Sequence, residues 1–200
     1  MIIISNPIPV ENEIQIIHSL FEEGLLLFHI RKPDFSEDEM KAFLSEIGLE
    51  FSNRLVLHSQ HQLAETFGIN RIHFTEKMRN ETSEEKLKNW KEKAFRLSTS
   101  VHSMRDFNTL ESEFEYAFLS PIYPSISKPD YVSEINHCEE IEKRTTSTKL
   151  IALGGITYEN IQKTMEFGFD DVALLGTIWN SSNPIENFKL CQQVAHSHSL

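Results

Sequence analysis

The chain is short of cysteine, short of basic charge and without long apolar runs, and each shortage excludes a class of protein. Its two cysteines, Cys138 and Cys191, lie far apart. They make neither a metal-ligand spacing nor a redox pair, which fits a reduced, cytoplasmic chain. Basic residues number 19 against 30 acidic ones, so general nucleic-acid binding, which depends on neutralising phosphates, is not expected. Net charge bears on solubility, and a local basic pocket stays compatible with it. No apolar stretch has the length of a membrane span, so no membrane partner is expected. The opening Met1-Ile2-Ile3-Ile4-Ser5 is too short for a signal-peptide core and reads as a first strand. Linkers and low-complexity tracts are missing as well. Two hundred residues with no boundary read as one domain, 1–200, large enough to bury a real core.

What is present is alternation of two kinds of segment. Short apolar runs predict strands at Ile2–Ile4, Leu25–Ile30, Arg54–His58, Arg71–Phe74, Phe95–Val101, Tyr116–Leu119, Leu150–Leu153 and Asp171–Leu175. Most are apolar almost throughout, as strands covered on both faces should be. Helical patterns fall between them. Val10–Glu23 carries Ile14, Ile17, Leu20 and Phe21 on one face, and Ser36–Ile47 opens with the capping box Ser36-Glu37-Asp38-Glu39. Further helices are expected at Gln60–Phe67 before Gly68, Glu84–Lys93, Ser103–Ser112, Ser133–Lys143, Thr157–Phe167 before Gly168, and Pro184–His196. The polar stretch Lys77–Lys93 reads as a loop followed by a helix. Eight strands each followed by a helix predict an α/β fold, a (β/α)8 TIM barrel, with an open doubly wound sheet as the alternative.

In such a barrel the chemistry collects where strands end. Two strand ends are built to hold an anion. Ile151-Ala-Leu-Gly-Gly155 closes on Gly154 and Gly155, which remove every Cβ where ligand oxygens could reach backbone N–H groups. Phe118-Leu-Ser-Pro-Ile-Tyr-Pro-Ser-Ile-Ser-Lys128 gathers two hydroxyls and an ammonium at Ser125, Ser127 and Lys128, in a loop stiffened by Pro121 and Pro124. Set against these are plain structural readings: a strand-to-helix turn that needs positive φ, and a polar surface loop.

These residues are similar to those of the thiamine phosphate synthase/TenI family of barrel proteins, over about Leu25–Trp179. The resemblance rests on His58-Ser-Gln-His-Gln-Leu-Ala64, Gly68-Ile-Asn-Arg-Ile-His-Phe-Thr75, Ser100-Val-His-Ser103, Leu119 to Lys128, and Ala152-Leu-Gly-Gly-Ile-Thr-Tyr-Glu-Asn-Ile161. It implies a small-molecule partner, a phosphorylated thiazole or thiamine phosphate, and is compatible with a homodimer. On the phosphate side the family's Thr-x-Thr-Lys stands as Ser125-Ile-Ser-Lys128, the Gly-Gly turn as Gly154-Gly155, and the strand-five serine as Ser100. Gly176 replaces the serine after the last strand and still offers an N–H.

The metal side departs from the family. Gln-x-Arg-x-Lys becomes His29-Ile-Arg-Lys-Pro33, which keeps Arg31, while Lys32 points elsewhere. The Asn-Asp pair becomes His58-Ser59, and the second metal aspartate falls on Met78. Serine and methionine do not replace two carboxylates around Mg²⁺. The resemblance therefore implies a TenI-like, metal-independent isomerase of a thiazole phosphate, with no cofactor required. The alternative is a Mg²⁺-dependent thiamine phosphate synthase releasing pyrophosphate, and the second alternative a non-catalytic binder of thiamine phosphate. The TenI histidine after strand six corresponds to Pro121, so His102, beside Ser100, is the candidate acid/base, against a structural histidine. Arg31, Ser100, His29 and His58 are candidate substrate contacts; Arg31 could instead pair with Glu76, and Ser100 could fill a barrel layer. Tyr123 and Trp179 could stack on a heterocycle or sit in the core. His61 is expected to face solvent. A metal site from His58, His61 and His73 is rejected, because the spacing fits no zinc pattern and lacks a carboxylate.

Overall fold

The computed structural model describes residues 1–110, 112–123 and 141–197. Eight parallel strands close on themselves in sequence order. They are β1 (Ile2–Ile4), β2 (Phe28–Ile30), β3 (Leu55–Leu57), β4 (Arg71–Phe74), β5 (Arg96–Val101), β6 (Phe114–Leu119), β7 (Lys149–Leu153) and β8 (Asp171–Leu174). The open-sheet alternative is thereby excluded. Among the described residues no helix is long and apolar enough to cross a membrane.

The helices between strands are short. They comprise α1 (Glu13–Glu22), α2 (Glu37–Ile47), α3 (Leu63–Thr66), α4 (Glu76–Glu81), α5 (Glu84–Glu92), α6 (Met104–Asn108), α7 (Ile161–Glu166), α8 (Gly176–Trp179) and α9 (Pro184–Ser197). Ser36 and Glu39 form the expected reciprocal capping box. Gly68 and Gly168 both take positive φ, 65° and 99°, where α3 and α7 end, as a left-handed exit requires. Several helices are shorter than expected, and two unexpected ones appear. The stretch read as a loop before α5 contains α4, because the Thr75 side chain accepts from the Met78 amide and caps it. Gly176 opens the one-turn α8 where only a strand end was expected. The expected helix at Ser133–Lys143 lies almost wholly outside the described residues.

Strand alternation divides the core in two. Outward residues such as Ile3, Phe28, Leu57, Ile72, Leu97, Ala117 and Val172 pack beneath the helices. Ile2, Ile4, Tyr116, Phe118, Ile151 and Ala173 fill the barrel interior. The interior is not apolar all the way round. On β2, β4 and β5 the residues that alternate with the outward set are His29, His73, Ser98 and Ser100, and His58 continues the line beyond β3. Such a sector is stable only if its polar groups satisfy one another.

Lys32 shows how firmly the first loops are held. It turns out of the barrel top and is buried against Glu13, with its Nζ 2.7 Å from both carboxylate oxygens and 3.3 Å from the Ile8 carbonyl. Burial pushes the Glu13 carboxyl up and the Lys32 ammonium down, and their mutual hydrogen bond opposes both shifts. As expected, this lysine is not available to a ligand.

Candidate active site at the carboxyl ends of the strands

A cavity of about 660 Å³ opens at the carboxyl ends of the strands, and every strand end contributes to it. Asn6, Arg31 and His58 reach it after β1, β2 and β3, and Thr75 and Glu76 after β4. Ser100 and His102 mark the end of β5 and Ser120 that of β6; Gly154, Gly155 and Gly176 close the far side.

On the glycine side, Gly154 and Gly155 adopt φ of 100° and 65°. A Cβ at Gly154 would stand 3.0 Å from both Cα and Cβ of Pro121, so this position needs glycine for space as well as for conformation. The Tyr123 amide donates to the Gly154 carbonyl at 3.1 Å and the Asn160 side chain donates to the Gly155 carbonyl at 2.9 Å. With the carbonyls so engaged, the Gly155 and Ile156 amides take no acceptor among the described residues. The turn and the anion-cradle readings are thus both compatible with the geometry. Ser125, Ser127 and Lys128 lie outside the described residues.

His102 stands at the rim. Its Nδ1 is 2.7 Å from the Ser120 carbonyl and its Nε2 is 3.6 Å from a Glu76 oxygen. A carbonyl only accepts, so Nδ1 carries a proton and Nε2 faces the Glu76 carboxylate. Glu76 is also 3.9 Å from Arg79. Arg31, exposed in the cavity, makes no ion pair among the described residues, so the pairing with Glu76 weighed above is not the one formed.

Beneath the floor lies a set of side chains that sequence reading did not assemble. His29 does not line the cavity; it is wholly buried, with Nδ1 2.8 Å from His58 Nε2 and Nε2 2.6 Å from the Tyr116 hydroxyl. His73 places Nδ1 2.9 Å from Ser98 Oγ and Nε2 3.0 Å from Ser100 Oγ. Its ring stacks on that of His58 at 4.1 Å. Burial drives His29 and His58 well below the ordinary histidine range, and His73 down to about 3; neighbouring histidines and arginines add to this. The three rings are therefore neutral at pH 7. Nitrogens of His29, His58 and His73 come within 4.8 Å of one another, a spacing that a divalent transition metal suited to imidazole ligands could bridge. Five of the six nitrogens already hold hydrogen bonds, which a metal would have to displace.

His61, half-buried and not solvent-facing, is no part of this cluster. Its Nε2 donates to the His73 carbonyl at 3.2 Å, and its ring packs on Phe74 and Trp90. Trp179 donates to the Ile4 carbonyl at 2.7 Å and packs edge-on against Phe28, while Tyr123 hydrogen-bonds Thr164 at 3.0 Å. Neither lines the cavity. The signal for the buried cluster is present in the sequence: His29, His73, Ser98 and Ser100 alternate with apolar or outward-facing residues on β2, β4 and β5.

A closed parallel barrel whose strand ends present a glycine turn, hydroxyls and an arginine without an ion pair among the described residues to one cavity is a (β/α)8 protein with a candidate ligand site at the carboxyl ends of its strands. More narrowly, the chain belongs to the thiamine monophosphate synthase family, whose model matches residues 1–178. It is similar to a thiamine phosphate pyrophosphorylase from Bacteroides thetaiotaomicron, at 30% identity over 98% of this chain and 97% of that one, with a TM-score of 0.79. A thiamine phosphate pyrophosphorylase from Pyrococcus furiosus, 13% identical, shares the fold at a TM-score of 0.78 over 98% and 95% of the two chains. The thiamine-phosphate synthase of Anoxybacillus flavithermus is 31% identical over 46% of this chain and 44% of its own length. The chain thus spans less than half the length of the first curated relatives it matches.

Proposed function

We propose that this protein binds a phosphorylated thiazole in the barrel-top cavity and isomerises it by metal-independent proton transfer, in the manner of TenI. The observation that carries this reading is the cavity's acid content. Glu76 is the single carboxylate lining it among the described residues, and it already faces His102 and Arg79. Mg²⁺ takes hard oxygen ligands, and one carboxylate flanked by a histidine and an arginine is a poor donor set for it. Met78, where the family's second metal aspartate belongs, packs against the hydrophobic core. These residues do not fit the family's Mg²⁺.

In this reading the amides of Gly155 and Ile156, which take no acceptor among the described residues, bind the substrate phosphate, with Gly176 at the edge of the same cradle and Ser125, Ser127 and Lys128 as further phosphate ligands. Arg31 and Ser100 contact the rest of the substrate. His102, with its Nε2 turned toward Glu76 at the cavity rim, moves the proton. The partner is a small cytoplasmic phosphate ester.

Calorimetry with thiazole phosphate and thiamine phosphate tests the reading, with and without Mg²⁺. Micromolar binding that ignores the metal, weakened at least tenfold by Lys128→Ala, is expected. The names of the relatives favour a second reading, synthesis of thiamine phosphate from hydroxymethylpyrimidine diphosphate and thiazole phosphate. Binding that appears only with Mg²⁺, together with pyrophosphate release, would replace the first reading by the second. Tight binding of thiamine phosphate with no turnover of either kind would leave a binding protein.

A further inference from the structure

Tyr116, His29 and His58 form a hydrogen-bonded row that starts in the barrel interior and ends at the cavity. The Tyr116 hydroxyl is 2.6 Å from His29 Nε2, and His29 Nδ1 is 2.8 Å from His58 Nε2. The His58 ring is held by stacking on His73 at 4.1 Å and by the ring of His29, edge-on at 5.0 Å. It lines the cavity, and its Nδ1 takes no partner among the described residues. Nor does that nitrogen belong to the buried, unpartnered side-chain atoms, which are Ser59 Oγ, Gln60 Oε1 and Arg79 Nε among the described residues. Nδ1 is therefore the nitrogen that His58 turns to the cavity.

A neutral imidazole donates from one nitrogen and accepts at the other, so the row can run in only two directions. If His29 Nε2–H donated to the phenol oxygen, Tyr116 would keep a buried hydroxyl proton with nothing to receive it. His29 is the phenol's only hydrogen-bond partner of proper geometry among the described residues. Ser98, opposite it on β5 and close enough to bear on its ionisation, makes its own hydrogen bonds to His73 and the Ile72 carbonyl. A buried donor left unmade is costly, and a spare lone pair on an oxygen less so. In the other direction no proton is stranded: Tyr116 donates to His29 Nε2, His29 Nδ1–H donates to His58 Nε2, and the His58 proton stands on Nδ1.

We propose that Tyr116, acting through His29, fixes His58 as a hydrogen-bond donor to the cavity, so that a ligand must present an acceptor at the end of β3. An unprotonated ring nitrogen or a carboxylate oxygen meets this demand; an N–H or an ammonium group does not. His58 is thus a specificity-determining residue, with His29 and Tyr116 as its positioning residues. Arg31 lines the same cavity without an ion pair among the described residues, and its charge favours the same kind of group. A ligand N–H set against His58 would leave two donors unpaired, which is how a site built on one hydrogen bond rejects the wrong partner. The inference rests on the proposed function only in taking this cavity for the ligand site, and not on the isomerisation.

¹⁵N NMR of the histidine-labelled full chain at pH 7, without ligand, reads the direction. His29 and His58 should both be Nδ1–H tautomers, with the proton of their shared hydrogen bond on His29. A proton on His58 Nε2 would overturn the proposal. Tyr116→Phe leaves His29 Nε2 without a partner in either direction, so both rings should pass together into a mixture of tautomers. Unchanged rings would overturn the role of Tyr116, and if this variant does not fold the wild-type spectrum decides the direction alone. Acetate and methylammonium then separate the ligand classes: acetate should shift the His58 Nδ1–H signal and methylammonium should leave it in place. Any other pattern would overturn the demand for an acceptor. So would one equivalent of Zn²⁺ shifting His29, His58 and His73 together, which would make the cluster a metal centre. Thiazole phosphate should bind about tenfold more weakly to His58→Leu and nearly as well to His58→Asn, which still donates. Equal affinity in His58→Leu would take His58 out of recognition. The expected tautomers in a wild type that does not bind thiazole phosphate would refute the function proposed above and leave the polarity of His58 standing.

Discussion

Replacing His61 by glutamine should make the protein markedly less sensitive to acid. In the folded chain His61 is held at about 4 and His73 at about 3, in both cases chiefly because burial penalises the charged ring. In the unfolded chain both return to about 6.5. Above pH 6.5 the rings are neutral in both states and the fold loses nothing. As the pH falls below 6.5 the unfolded state takes up protons that the folded state refuses, so stability drops until the folded values are passed. At pH 5 each group has removed about 2 kcal/mol, roughly 4 kcal/mol together, out of a typical total of about 5–15 kcal/mol. His29 and His58 push in the same direction. Glutamine keeps the donor that His61 Nε2 offers the His73 carbonyl and never ionises. Urea unfolding of both proteins at pH 7 and pH 5 measures the effect, since the carboxylates titrate alike in the two and cancel in the difference. The drop in stability between these pH values should be about 2 kcal/mol smaller in His61→Gln, a midpoint difference of about 1 M urea. An equal drop in both proteins would show that His61 is not held neutral in the fold, and would refute the burial argument.

Two further outcomes follow from single contacts. Lys32→Met should cost about 3–5 kcal/mol in chemical unfolding, because it strands the buried Glu13 carboxylate. The double variant with Glu13→Leu should recover most of that loss, and a double variant as unstable as Lys32→Met would show that packing, not charge, sets the cost. Gly154→Ala brings a Cβ to 3.0 Å from the backbone and ring of Pro121 at a φ of 100°, so a melting-temperature loss equivalent to about 1–3 kcal/mol is expected. Weaker thiazole phosphate binding should accompany it, and an unchanged melting temperature would mean that the turn yields freely.

The outer shell of this barrel was legible because its periodicities are local. The strands at Ile2–Ile4 and Arg71–Phe74 were bounded to the residue, and the capping box at Ser36 spans only four consecutive residues. Where a boundary slipped, tertiary pairing had set it. Leu25 to Leu27 are apolar enough to extend β2, yet the strand begins only at Phe28, where ladder pairing with Leu55 starts. α4 was hidden by composition, since Glu76 to Glu81 offers no apolar face and its start depends on one hydroxyl, that of Thr75.

The cavity rim could be read from strand ends, but the layer beneath it could not be read from the same signal. Sequence reading takes His29 and His58 singly, as ligand contacts, and meets His73 only in a rejected metal set with His58 and His61. Which of them meet depends on direction. His29 and His73 alternate with outward-packed neighbours and point inward, whereas His61 lies on the loop outside and turns to Phe74 and Trp90. Tyr116 comes within reach of His29 only because the sheet closes, across a sequence gap of 87 residues. In a closed barrel the chemistry of the interior is therefore carried by every second residue of several strands read together. The apolar residues between them, which make the strands recognisable, are also what obscures it.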